Sequence, residues 1–263
     1  MTTDSTSEQY GVRSVARALD VLLELSTCDR PIGLSDLARR AKLHPTTALR
    51  LLETLRSRGF VHQGVDRTYV LGSRTFEVGT AFLRNVSIWS QANQLAEQLA
   101  AVTDETASVG VLDEGQILYI AIARGQGDVG IASAPGTRHP LYCTSLGKAI
   151  LAALPLDFAD HLLEGAPLVR MSSKTIVDLD AFHAELVSIR KRGYAVDDEE
   201  RTPGVVCVGA AVYDHLRQPV GAISISGPAF RMREHGIGRL GRAAIATANS
   251  FSIPIGGGRE SRQ

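Results

Sequence analysis

The apolar residues of this chain change their spacing near Glu105. Before that position they recur every three or four residues, as in "VRSVARALDVLLELS", which is the period of an amphipathic helix. After it they alternate with polar or small residues, as in "QILYIAIAR" and "PVGAISIS", which is the period of a strand with one buried face. A chain of 263 residues is long enough for two domains. We therefore expect a helical N-terminal domain followed by a domain built on a sheet.

The N-terminal part predicts three helices and a short hairpin. The inward stripe of the first helix would comprise Val12, Val15, Leu19, Leu22 and Leu23. Ser35 is placed to cap the second helix, "SDLARRA", and the third helix begins at Pro45 and stops at Gly59. Two strands around a turn follow in "FVHQGVDRTYVLG". This order predicts a winged helix-turn-helix over residues 11–72, after a disordered start at residues 1–10.

Basic residues outnumber acidic residues in this domain, although the net charge of the chain is zero. Such an excess is typical of a domain that faces a polyanion, and an ordinary solvated face is the alternative. In a helix-turn-helix the second helix of the pair enters the major groove, where hydroxyl and arginine side chains reach bases and phosphates. The candidate DNA-binding residues are Lys42, His44, Thr46, Thr47, Arg50 and Arg56. A three-helix interaction domain without DNA contact also stays open.

A helix over residues 73–86 is expected to link this domain to a second one over residues 87–254. Strand-like segments there are "TASVGVL", "QILYIAIAR", "DVGIASA", "VVCVGAAVYD" and "PVGAISIS". Helical segments lie among them without a regular β-α-β alternation, and one of them, "DLDAFHAELVSIRKRG", would bury Leu179, Phe182, Leu186 and Ile189. This order predicts an antiparallel sheet with helices packed on it, and so an α+β fold. The tail at residues 255–263 is expected to be disordered.

Small residues share one face of two of the predicted strands. In "VVCVGAAV" Cys207 points to the same side as Gly209, and in "AISIS" Ser224 and Ser226 point away from the isoleucines. If the turn "DHLRQP" pairs the two strands, Cys207 lies across from the serines. Such a face leaves room for a ligand, and close packing against another element is the alternative. The acidic run that begins at Asp197 is expected to be mostly a turn and solvated surface.

Several motifs suggest other functions but lack what those functions need. The segment "GQGDVG" has the spacing of a dinucleotide fingerprint, but two prolines after it exclude the helix that would hold a pyrophosphate. Ser145 and Lys148 match the Ser-x-x-Lys of acylating serine hydrolases, whose companion motifs are missing. No histidine is placed in sequence to activate Ser145 or Cys207, so a serine- or cysteine-dependent hydrolase is the secondary hypothesis. No pair of histidines has metal-ligand spacing, and we expect neither a metal nor a cofactor.

Composition and the N-terminal segment favour a cytoplasmic protein. The segment "MTTDSTSEQYG" lacks the basic and apolar regions of a signal peptide, and no apolar run approaches the roughly 18 residues of a transmembrane helix. The 3 cysteines are odd in number and widely spaced, which argues against a disulfide framework.

Longer motifs resemble the IclR family of bacterial transcriptional regulators. In the N-terminal domain they are "SVARALDVLLELS", "GLSDLARRAKLHPTTALRLLETLRSRGFV" and "YVLG". In the C-terminal domain they are "HPLYCTSLGKAILAALP", "TIVDLDAFHAELVSIRKRGYAVDDEERTPGVVCVGAAVYD" and "GAISISGP". The resemblance spans residues 11 to 253. It implies a regulator that is not an enzyme and that binds double-stranded operator DNA as a homodimer or a dimer of dimers.

The resemblance also implies a C-terminal effector domain of the GAF/profilin-like kind that holds a small carboxylate. Its contacts, taken over motif by motif, would be Ser145, Leu146, Asp197, Cys207, Ser224 and Ser226. Ser145 and Leu146 would act through backbone groups at a helix start, where amides favour an anion. Asp197 would accept a hydrogen bond from an effector hydroxyl or organise the pocket, because two anions repel each other.

Overall fold

The computed structural model describes residues 12–83, 88–125, 134–164 and 168–251. The chain forms two compact units, one up to residue 85 and one from residue 86 onward. The two predicted disordered ends and most of the "GQGDVG" and "DVGIASA" segments lie outside the described residues. Within the described residues, no helix has the length and apolar character needed to cross a membrane.

The N-terminal unit has the helices and the hairpin that the sequence predicts. Its elements in order are α1 (Arg13–Ser26), α2 (Leu34–Arg40), α3 (Pro45–Ser57), β1 (Val61–Gln63), β2 (Tyr69–Leu71) and α4 (Ser73–Leu83). Strands β1 and β2 are antiparallel, with His62 opposite Val70. The core is small and is built around Leu37 and Leu52, both fully buried. Because α2 and α3 both contribute to it, the turn between them is held on the same core.

Two details of this unit differ from the prediction. Helix α2 begins at Leu34, so Gly33 occupies the cap position and Ser35 lies inside the first turn without capping the helix. Of the five residues predicted to face inward, Leu22 packs against the core, but Val12, Val15, Leu19 and Leu23 are exposed to between 54% and 65%. The core instead receives Val21 and Leu25 from α1. Helix α1 carries apolar residues on more than one face, and a helical period does not tell which face a neighbouring helix will cover.

In the C-terminal unit the described residues form a six-stranded antiparallel sheet with helices on both faces, which confirms the predicted α+β class. Its strands are β3 (Thr106–Asp113), β4 (Gln116–Ala123), β5 (Arg138–Pro140), β6 (Ala195–Asp198), β7 (Val205–Tyr213) and β8 (Pro219–Pro228), in the spatial order β5-β4-β3-β8-β7-β6. Its helices are α5 (Trp89–Thr103), α6 (Ser145–Ala153), α7 (Leu156–Glu164), α8 (Leu179–Arg192), α9 (Ala229–His235) and α10 (Ile237–Asn249). The first residue of α8, Leu179, is 48% exposed and not buried as expected, because it lies at the helix start, outside the core.

The alternating residues of the central strands separate two cores. Ile223 and Ile225 of β8 pack with α5 and α10 on one face. The other face of the sheet meets α6, whose residues from Ser145 to Ala152 are all buried. Gly209 of β7 permits this close approach, because a Cβ atom there would lie 3.2 Å from the carbonyl oxygen of Ser145. The start of α6 therefore rests directly on the small-residue face that the sequence pattern singles out.

Candidate functional site

A small cavity of about 60 Å³ opens where the start of α6 meets the sheet. It is lined by residues of β3, β4, β6, β7 and β8, by the start of α6 and by the loop that follows β6. The lining residues are Thr106, Ser108, Tyr119, Thr144, Ser145, Asp197, Arg201, Thr202, Val205, Cys207 and Ser226. A water molecule needs roughly 10–15 Å³ of such space, so this volume holds only a few atoms.

Four polar side chains form a continuous row across four strands of the cavity wall. Asp197 on β6 lies opposite Cys207 on β7, Cys207 lies opposite Ser226 on β8, and Ser226 lies opposite Thr106 on β3. The predicted pairing of Cys207 with a serine of the next strand is therefore confirmed. Since all four residues line the cavity, the sheet presents a row of hydrogen-bonding groups to whatever occupies it.

Two of the six predicted effector contacts do not line the cavity. Ser224 lies two residues before Ser226 on β8, pairs with Gly209, and is buried. The side chain of Leu146 is fully buried in the apolar cluster on the α6 side of the sheet, but the predicted contact was with its backbone, which lies next to Ser145 at the start of α6. Ser145, Asp197, Cys207 and Ser226 are brought together as predicted.

The start of α6 supplies backbone donors to this site. The hydroxyl of Thr144 accepts a hydrogen bond from the amide of Gly147 at 3.1 Å and caps the helix. Among the described residues, the amides of Ser145 and Leu146 have no hydrogen-bond acceptor. Free amides at a helix start, together with the helix dipole, favour an anion.

Asp197 is a buried carboxyl group with an unusual pKa. Burial raises its pKa to about 6, and the nearby Glu200 carboxylate adds to this rise. The backbone amides of Glu200 and Arg201 donate to its Oδ1 at 2.8 and 3.3 Å and oppose the rise. Asp197 is therefore mostly ionised at neutral pH and loses its charge in mildly acidic solution.

Neither Cys207, which lines the cavity, nor the buried Cys143 is activated as a nucleophile. Burial raises the pKa of the Cys207 thiol above its ordinary value, and the Asp197 carboxylate raises it further. Burial likewise raises the pKa of Cys143 to about 12. Since the thiolate is the nucleophilic form, both groups stay protonated and unreactive at neutral pH.

The lysine of the Ser-x-x-Lys motif is occupied elsewhere. Lys148 is fully buried and donates to Glu200 and to the carbonyl oxygen of Val196. This pairing also corrects the prediction for the acidic run, since Glu200 is buried and only Asp198 is exposed. Glu199 is held between Lys174 and Arg233 at 2.7 and 2.6 Å.

Sequence reasoning missed Arg201, His139 and Tyr119. Arg201 donates from Nη2 to Nδ1 of His139 at 2.7 Å. The ring of Tyr119 meets that of His139 edge to face, with centroids 4.9 Å apart. Burial and the Arg201 charge lower the pKa of His139 to about 4, so this histidine is neutral near pH 7. The only sequence signal was the position of Arg201 directly after the acidic run.

The candidate DNA-binding residues lie on α3 and in the turn before it. Lys42, His44, Thr46, Arg50 and Arg56 are exposed, and Thr47 is partly buried. Two basic side chains of α2 already have acidic partners. The guanidinium of Arg39 bonds to Asp36 at 2.8 Å, and that of Arg40 bonds to Glu24 at 3.2 Å. Lys42, Arg50 and Arg56 form no ion pair with a described residue.

Family models match both units. One, for the C-terminal part of bacterial IclR transcriptional regulators, matches residues 80–253, and one for the IclR helix-turn-helix domain matches residues 14–64. The chain belongs to the IclR family. The HTH-type transcriptional regulator BhcR of Paracoccus denitrificans (strain Pd 1222) is 35% identical over 245 residues, which cover 92% of this chain and 87% of BhcR. The transcriptional repressor IclR of Escherichia coli (strain K12) is 32% identical over 251 residues, 94% of this chain and 92% of the repressor.

Solved structures of the IclR family share the fold. The crystal structure of the Thermotoga maritima IclR matches with a TM-score of 0.78 and 29% identity, over 91% of this chain and 97% of that one. This protein is accordingly a DNA-binding transcriptional regulator of the IclR family. These relatives are regulators, and they give no support to a hydrolase. Among the described residues, no cluster of three or more histidines, cysteines and acids is arranged to hold a metal ion.

Proposed function

We propose that this chain is a cytoplasmic regulator that binds double-stranded operator DNA as a homodimer and is controlled by a small carboxylate. The observation that carries the proposal is the cavity, where the polar row of Asp197, Cys207 and Ser226 faces unbonded amides at a helix start. A site with donors, acceptors and no activated nucleophile favours reversible binding over turnover.

The DNA contacts are proposed to come from α3 and the turn before it. Helix α3 begins at Pro45, so Thr46 and Thr47 lie in its first turn and Arg50 lies about one turn further along. In a helix-turn-helix the N-terminal residues of this helix contact base edges, and we assign that role to the two threonines. The Nδ1 atom of His44 and the hydroxyl of Thr46 lie 2.6 Å apart, which orders the start of the helix. Lys42, Arg50 and Arg56 form no ion pair with a described residue, so their charges are available for phosphates, and each phosphate contact makes the affinity depend on salt.

The homodimer is supported by the exposed stripe on α1. Val12, Val15, Leu19 and Leu23 recur at intervals of three and four residues and lie in solvent in the single chain. Contiguous apolar surface of this kind commonly marks a protein interface. A second copy of the chain is the proposed partner, because a two-fold dimer places two recognition helices on a palindromic operator. Pairing of two dimers would give the dimer of dimers.

Footprinting with and without ligand tests the proposal. Intergenic DNA beside the gene for this protein is mixed with the wild-type protein at moderate salt and then digested with a nuclease. The digestion is repeated in the presence of each of a panel of short carboxylates. We expect a protected palindromic segment. The protein concentration that gives half-maximal protection should change when one of the acids binds, because an effector acts through unequal affinity for two arrangements of the protein. Absence of protection contradicts the DNA-binding role. Turnover of a carboxylate ester that the Cys207→Ala variant abolishes would favour the hydrolase.

A further inference from the structure

Arg201 is a positively charged residue in the effector cavity that no described acidic side chain neutralises. It lines the cavity, and its Nε atom is buried without a hydrogen-bond partner among the described residues. The basic side chains around it are paired. Lys148 bonds to Glu200, and Arg233 bonds to Asp198 and Glu199. A buried guanidinium N–H that lacks an acceptor is unfavourable in the free protein and becomes favourable when a ligand supplies one.

His139 holds Arg201 without cancelling its charge. It accepts the Nη2 hydrogen bond through Nδ1, which requires the neutral ring, and Tyr119 packs edge to face on that ring. The low pKa of His139 agrees with this arrangement. Because His139 is a neutral acceptor, it holds the guanidinium in place without neutralising it. The positive charge of Arg201 is therefore available to a ligand. No described residue accepts a hydrogen bond from the Nε atom, so this edge of the guanidinium is available to a ligand.

We propose that Arg201 binds the carboxylate of the effector and that Asp197 accepts a hydrogen bond from its hydroxyl group, which makes the effector a short hydroxycarboxylate. This inference rests on the proposed control by a carboxylate. A guanidinium forms strong, directional hydrogen bonds with carboxylates, whereas an ionised Asp197 repels them. The anionic end of the ligand therefore lies towards Arg201, and an uncharged donor lies towards Asp197. A cavity of about 60 Å³ favours a ligand of few atoms.

Calorimetry with matched acids and amides tests this assignment. Glycolate and lactate are titrated into the full-length protein, and glycolamide and lactamide serve as uncharged counterparts. The variant Arg201→Gln removes the charge, and Arg239→Gln, an exposed arginine on α10, is the control. We expect Arg201→Gln to weaken binding of the better acid by about 30-fold or more, because truncating one partner of a buried charge pair has effects of that size. Binding of its amide should change little, and Arg239→Gln should bind as the wild type does.

The outcomes separate this inference from the proposed function. Equal affinity of the wild type and Arg201→Gln for the acid overturns the role of Arg201 and leaves carboxylate control intact. Equal affinity of the wild type for an acid and its amide overturns the role of Arg201 and also the requirement for a carboxylate. If the wild type binds neither acid but binds pyruvate or acetate, the hydroxyl requirement is overturned. Binding of no carboxylate at all overturns the ligand class and this inference together.

If Arg201→Gln does not fold, Arg201→Lys replaces it and is expected to lose less affinity for the acid, since lysine keeps the charge without the planar fork.

Discussion

Lys148 on α6 and Glu200 in the loop after β6 form an ion pair inside the C-terminal unit, with both side chains out of solvent. The same loop carries Arg201, and its backbone amides bond to Asp197. The pair therefore connects the helix that borders the cavity to the loop that supplies Arg201 and that donates hydrogen bonds to Asp197. Glu185 lies further from Lys148, at 3.9 Å, and contributes less.

We expect Lys148→Met to destabilise the protein by about 3–5 kcal/mol, because it leaves Glu200 buried without its cation. Burial already raises the pKa of Glu200 even with Lys148 beside it. Without Lys148 that carboxyl should protonate more readily, so the loss should be smaller at pH 5 than at pH 8. Urea unfolding at both pH values measures this. Lys174→Met, which breaks an exposed pair with Glu199, should matter much less, and a deficit independent of pH would contradict the argument.

His139 and Asp197 should give opposite contributions to the pH dependence of stability. The pKa of His139 is lowered to about 4 from a value near 6.5 in the unfolded chain. The neutral ring therefore contributes fully to the free energy of unfolding above pH 6.5, and this contribution is lost as the pH falls towards 4. The pKa of Asp197 is raised to about 6. Burial of its ionised carboxylate therefore lowers the free energy of unfolding fully above pH 6, and this loss disappears as the pH falls towards 3.8.

Two variants that cannot titrate separate these contributions. Relative to the wild type, His139→Gln should gain stability as the pH falls from 7 to 4. Asp197→Asn should lose stability relative to the wild type over the same range. Denaturant unfolding at closely spaced pH values gives the two difference curves, and curves of the same sign would show that the pKa shifts are assigned to the wrong groups.

Arg50→Ala should weaken operator binding and lower the salt dependence. If Arg50 contacts one phosphate, the slope of log K against log salt concentration should fall by about 1. Arg39→Ala is the matched control on α2, because the Arg39 charge is already paired with Asp36. Fluorescence anisotropy with labelled operator at several salt concentrations measures both slopes. An unchanged slope for Arg50→Ala would remove this residue from the proposed phosphate contacts.

The exposed stripe on α1 predicts that association and folding can be separated. Leu19→Ser changes a residue that is 54% exposed in the single chain, so it should weaken dimers while leaving the unfolding of the monomer little changed. Val21→Ala, two positions away, changes a fully buried residue and should lower stability by about 1–3 kcal/mol. Sedimentation equilibrium and thermal unfolding give the two measurements. Wild-type dimer affinity in Leu19→Ser would exclude this stripe from the interface.

Sequence reasoning located the parts of the site that depend on local pattern. The period of two placed Cys207 and Ser226 on one face, and the short turn between their strands set them opposite each other. Arg201 and His139 are 62 positions apart, and no local pattern relates residues that meet only after the sheet has formed. The buried side of α1 was mispredicted for a related reason. Its pattern shows an amphipathic helix, but the neighbours that choose the buried face come from α2, α3 and β2.

Gly209→Ala tests whether the position of α6 controls the cavity. An added Cβ atom would lie 3.0 Å from the carbonyl oxygen of Ile223 and 3.2 Å from that of Ser145, so the helix start must move by a few tenths of an ångström. We expect a loss of about 1–3 kcal/mol in stability and weaker binding of the acid that the wild type prefers, because Ser145 borders the cavity. Gly238→Ala in α10 is the control, since its Cβ atom would meet nothing closer than 3.7 Å and alanine favours a helix. If both variants bind the acid as the wild type does, the ligand does not depend on the start of α6, and its amides are not among the contacts.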